Sequence, residues 1–236
     1  MSEDLFVLTI AAATLAFLHT ISGPDHSIPF IGMARAGRWP LQKTLQVTIL
    51  GGLGHVLSSA VLAVVGLTAL AGTERALSLE SLRGELAVWG LMAFGLLYGA
   101  WGLRRVARGR EHDHWHAHAD GTLHHHRHAH QGDHLHAHGQ ESARLTPWIL
   151  FAIFVFGPCE PLIPLLMYPA IRRSLLATLW VGAVFTLVTI LTMVALVLGG
   201  LRGLQALRID GLTRYAHALA GVTIFGCGLA VKVFGL

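Results

Sequence analysis

Charge is the first thing this chain lacks. Asp, Glu, Lys and Arg make up 13 % of its 236 residues, where an ordinary soluble domain carries about a quarter. Hydrophobic residues reach 53 % and the mean hydropathy is +0.58. A water-soluble protein with six fully buried helices would need polar residues to cover its outside, and they are missing. Cysteine is nearly absent as well. Cys159 and Cys227 both fall in apolar runs, which excludes a disulfide framework. No glycine-rich phosphate loop appears, so ATP is not the expected energy source. The basic stretch that precedes the apolar core of a secretory signal is also lacking. The chain opens with the acidic "MSED", and its first apolar run is expected to stay as a membrane helix. The basic pI of 9.6 comes from arginines in loops and bears on topology rather than on nucleic acid.

What is present is six apolar runs, at about 5–23, 45–71, 86–106, 147–170, 175–200 and 214–235. Crossing a bilayer core takes roughly 20 helical residues, so the expected fold is an all-α membrane protein with six transmembrane helices. Lys and Arg favour cytoplasmic loops. The loops after the first, third and fifth runs hold twelve of them, against five on the opposite side. Both termini are therefore predicted outside and the long central loop in the cytoplasm.

The sequence is written twice. "SGPDHSIPF" at 22–30 resembles "FGPCEPLIPL" at 156–165, and Gly90, Phe94 and Gly95 of the third run match Gly221, Phe225 and Gly226 of the sixth. The two matches are offset by 134 and 131 residues, so one duplication accounts for both. A repeat of three helices has odd parity, and its second copy must cross the membrane upside down. Inverted repeats of this kind build many transporters, with broken helices meeting near the midplane. The predicted organisation is a three-helix repeat at 1–106, a disordered cytoplasmic His-rich loop at 107–146 and an inverted repeat at 147–236, with helices 1 and 4 broken at their Gly-Pro motifs.

Each predicted break carries reactive side chains, Asp25 and His26 in the first and Cys159 and Glu160 in the second. A charged group at the bilayer centre costs at least about 2.5–3.5 kcal/mol, so the carboxylates need a cation or a proton. Asp, His, Cys and Glu together suit a borderline divalent ion such as Ni²⁺, Co²⁺ or Zn²⁺. His19 lies about two helical turns before His26 and shares its face. His55 sits in "GGLGHVLSS" among small residues; taken alone it reads as a packing histidine, as does His217. The central loop packs twelve histidines between His112 and His138, a composition that reads as weak, exchangeable metal binding.

"LHTISGPDH" resembles the first-helix signature of the nickel/cobalt transporter superfamily, in particular its urease-accessory-like and efflux branches. "LGH" with the following serines, at 53–59, resembles the second motif of the permeases, and "GPCEPLIPLLMYPA" resembles the fourth-helix motif of the urease-accessory-like branch. In the permease pattern four residues separate the first histidine from the Asp-His pair. Here five do, Thr20 to Pro24, as in the urease-accessory-like branch. By this likeness His19, Asp25, His26 and His55 are metal-site residues, with Cys159 and Glu160 their counterparts in the second half. The resemblance implies a secondary transporter rather than an enzyme, in a bacterial cytoplasmic (inner) membrane. It would carry no permanent cofactor. Nickel or cobalt is the implied substrate and zinc a further one, while the partners are the ion and the lipid bilayer, without nucleic acid. A homodimer is left open. A cytoplasmic His-rich loop favours efflux.

Two other classes compete. "GPCEPLIP" also resembles membrane thiol–disulfide relays, but those need a cysteine in each repeat. Here Asp25 stands where the partner would be and Cys227 lies in the sixth run. Thiol–disulfide exchange through one cysteine at the breaks cannot move two electrons. The third reading is a metal sensor or assembly factor that transports nothing.

Overall fold

A computed structural model describes residues 3–68, 73–108, 112–117, 123–128, 139–157, 159, 161–171, 174–206 and 210–235. Helix α1 (Glu3–Ser22) is apolar after an acidic first turn, Glu3 and Asp4, which suits the positive end of the helix dipole. It stops before Pro24. Proline offers no N–H to the helix and biases the residue before it towards extended backbone; Gly23 is extended, at φ −81° and ψ 106°. Pro24–His26 form a single 3₁₀ turn, and α2 (Ile28–Ala36) follows. Then come α3 (Leu41–Thr68), α4 (Thr73–Arg108), α5 (Gly139–Val155), α6 (Leu162–Ile171), α7 (Leu175–Ala206), a 3₁₀ turn (Asp210–Tyr215) and α8 (Ala216–Phe234).

Among the described residues five helices are long and apolar enough to cross a membrane: α1, α3, α4, α7 and α8. The sixth expected span, 147–170, is not one helix. The chain there divides into α5, of 17 residues, and α6, of 10, because the helix ends at Val155 ahead of Gly157. Pro158 and Glu160 of the second motif lie outside the described residues. The third span is also longer than expected, since α4 runs through charged residues that its apolar run at 86–106 leaves out. In the His-rich segment, expected to be disordered, β1 (His112–Ala117) and β2 (Leu123–His128) form an antiparallel hairpin with His112 opposite His128. The alternation in "HDHWHA" is a period-two pattern that suits a strand, and the count of histidines masks it.

Large apolar side chains cover the outside. Leu176 is 82 % and Leu97 70 % exposed, a surface that fits lipid tails and not water. The interior has two clusters. One joins α1, α3, α6 and α7 through Ala12, Ala16, Val56, Leu162, Ile163 and Phe185. The other joins α2, α4, α5, α7 and α8 through Phe30, Leu91, Leu150, Phe154, Met193 and Ile224.

Helix α4 lies along α8 with almost nothing between them. A Cβ on Gly95 would strike the backbone of Phe225, and one on Gly221 the backbone of Gly99. Only glycine permits this approach. Of the glycines matched between the third and sixth runs, Gly95 and Gly221 are thus partners in space.

Candidate metal centre

The two N-terminal interior helices bring three histidines together. His19 sits in the last turn of α1, His26 closes the 3₁₀ turn after it and His55 is central in α3. The ring centroids are 4.8 Å apart for His19 and His26, 5.1 Å for His26 and His55, and 6.0 Å for His19 and His55. One ligand atom from each lies within 4.8 Å of the others. Helix α1 would carry His26 away from His19 if it continued straight. The turn at Gly23–Pro24 folds it back, and Gly23 must be glycine there because a Cβ would meet the His26 ring.

The polarity of these rings is fixed from behind. His26 Nδ1 is 3.0 Å from Asp25 Oδ1, and His55 Nδ1 is 3.2 Å from the carbonyl oxygen of Phe154. Both neighbours only accept, so each Nδ1 carries the proton and each Nε2 keeps a bare lone pair. The Nε2 atoms of His19, His26 and His55 are all buried and have no hydrogen-bond partner among the described residues. A buried polar atom left unpaired costs about 1–3 kcal/mol, and three at one point call for a common partner. Around an ion with Zn–N bonds of about 2.0–2.1 Å, tetrahedral nitrogens stand about 3.3 Å apart. The rings therefore need to close by about 1.5 Å at the widest pair, which small side-chain rotations supply. Phe154 floors the site: its ring stacks on His55 at 4.8 Å and meets His26 edge-on at 5.5 Å.

The other expected site residues are placed differently. Asp25 turns its carboxylate to His26, the arrangement by which a carboxylate orients a metal-ligating imidazole from outside the ligand set. Cys159 is fully buried in the α1–α3–α6–α7 cluster, and its N–H donates to Glu80 Oε1 at 2.8 Å. Cys227 belongs to the other cluster, with its thiol 3.9 Å from the carbonyl oxygen of Pro24. Glu160 lies outside the described residues. His217 is apart from the triad, bonded to Tyr98 Oη at 2.7 Å.

Sequence reasoning missed a buried group beside the site. Glu80 and Arg83 of α4 pair at 2.9 Å, with Glu80 only 1 % exposed. Ser59 Oγ donates to Glu80 Oε1 at 2.7 Å and accepts from Arg83. The one signal in the sequence was their helical spacing of three, which puts them on one face. No protein-family model, curated protein or solved structure matches this chain, and its function is argued from the geometry of the triad.

Proposed function

We propose that the protein is a secondary transporter of divalent transition-metal ions in a cytoplasmic membrane, of the nickel/cobalt transporter kind that its motifs resemble. The observation that carries this reading is a set of three histidines that bring one ring nitrogen each within 4.8 Å of the others, with the Nε2 of all three buried and unpartnered among the described residues. Imidazole suits Ni²⁺, Co²⁺ and Zn²⁺ and does not suit Mg²⁺ or Ca²⁺. Three neutral rings leave room for further ligands, and an open coordination position lets an ion leave again. The Asp25 carboxylate offsets part of the ion's charge.

Six crossings as two inverted repeats belong to the same reading, with α5 and α6 as one interrupted span. The packing supports it. The first helix of each half lies against the second helix of the other, α1 on α7 and α5 and α6 on α3, while the third helices α4 and α8 pair. The interruptions after Ser22 and Val155 then approach each other, with His26 edge-on to Phe154 at 5.5 Å. The His-rich segment collects ions on the cytoplasmic side, which favours efflux. A thiol–disulfide relay is less well supported, because its two cysteines sit in separate clusters. A sensor would need the same triad but would show no flux.

Metal flux into vesicles reconstituted with the full chain tests this. His26→Ala and His55→Ala should each lower Co²⁺ or Ni²⁺ flux at least tenfold, the lower end of what losing a member of such a site costs. Cys159→Ser should reduce it only modestly. A relay predicts the reverse order, and a sensor predicts no flux in any form.

A further inference from the structure

We infer that Glu80 and Arg83 are positioning residues for the metal centre. They hold the interruption between α5 and α6 in the shape that aims His55 at the ion, and this rests on the proposed function above. After Val155 the helical ladder runs out: the N–H of Gly157 turns back to the oxygen of Phe154 at 3.0 Å, and no described backbone donor reaches the carbonyls of Val155 and Gly157. At membrane depth such groups must be satisfied by protein. Side chains of α3 and α4 take them in order. His55 donates to the oxygen of Phe154 at 3.2 Å, Ser58 to that of Val155 at 2.7 Å and Arg83 to that of Gly157 at 2.9 Å, while Glu80 accepts from the N–H of Cys159 at 2.8 Å.

His55 is common to this brace and to the triad. Its Nδ1 is fixed by the interruption, and its Nε2 is one of the three unpartnered atoms. Gly157 closes the link. A Cβ there would lie 3.3 Å from the His55 ring, so the carbonyl that Arg83 holds belongs to a residue packed on that ring. A displacement of Gly157 moves the acceptor and the wall of His55 together. Net stability is not what the ion pair adds, since buried pairs are often no better than apolar replacements. It adds direction, as the Nη2 of Arg83 alone reaches Ser59, Glu80 and Gly157, at the end of a side chain one atom longer than that of lysine.

The test is Co²⁺ binding to the full chain in detergent, followed by the visible absorption of the bound ion. The triple variant His19→Ala/His26→Ala/His55→Ala, measured in parallel, gives the binding due to the His-rich segment, which is subtracted. Two variants are compared: Glu80→Gln/Arg83→Met, which leaves no unpaired charge, and Arg83→Lys, which keeps the charge. Each should weaken Co²⁺ binding at the triad about tenfold, the usual cost of losing a group that orients a metal ligand, and should shift the absorption bands. Glu85→Gln, which removes an exposed partner of Lys232, should do neither. Wild-type affinity and bands in either folded variant overturn the proposal while leaving the transporter reading intact. Wild-type protein that binds no more Co²⁺ than the triple variant overturns both.

Discussion

At the scale of single residues, His19 and His26 stood out through the Gly-Pro motif beside them, whereas His55 taken alone reads as a packing residue. The sequence could not say which atoms point inward. Asp25 and His26 read there as two equal ligands, whereas the structure turns Asp25 Oδ1 to His26 Nδ1. This yields an ordered prediction. Asn at position 25 keeps an oxygen that can accept from Nδ1 but loses the charge, and Ala loses both. Asp25→Asn should weaken Co²⁺ binding by about tenfold and Asp25→Ala by more, up to about a hundredfold, in a competition titration against a coloured chelator. Equal affinity for Asn and Ala would mean the hydrogen bond is irrelevant and only charge counts. Glu80 and Arg83 were hidden for the opposite reason. Acidic and basic residues interrupt a hydropathy run, so the apolar run at 86–106 leaves both out. A helix that buries its charges against a neighbour's backbone looks, in one dimension, like the end of a helix.

At the scale of elements, the Gly-Pro motif at Gly23 was readable from local chemistry, since glycine followed by proline favours a helix end, although Pro147 and Pro169 stand inside α5 and α6. How far each Gly-Pro motif shortens its helix was not. The first leaves α1 with 20 residues, while the second divides its run into pieces of 17 and 10. The turn at Gly23 also does something the motif alone does not state: it returns His26 to His19. Gly23→Ala sets a methyl group against the His26 ring and Asp25, so the ring must leave its place. This variant should still insert and run as a homogeneous species on size exclusion, yet lose Co²⁺ binding at the triad about as fully as His26→Ala. Retained binding would show that the turn has room to relax and that its glycine serves something other than the site.

At the scale of the whole molecule, two short sequence matches pointed to a duplication, and one of them includes a physical contact. Gly95 and Gly99 of α4 meet Gly221 of α8 backbone to backbone. Gly221→Leu forces a side chain into that contact, where overpacking costs about 1–3 kcal/mol, and should lower the melting temperature of the detergent-solubilised protein. The lowering should appear with and without metal, because the contact joins Gly221 to Gly95 and Gly99 and includes none of the three histidines. A seam of this kind has only discrete registers, since a slide by one residue would bring Ala220 or Val222 to the place of Gly221, where a Cβ meets the backbone of Gly95 and Gly99. Helices α4 and α8 are then a stator. Under the proposed transport function, relative motion would be left to the interrupted elements, where α1 ends at Ser22 and where α5 ends at Val155, and the brace from α4 to Gly157 would be the point at which the fixed part grips the moving one.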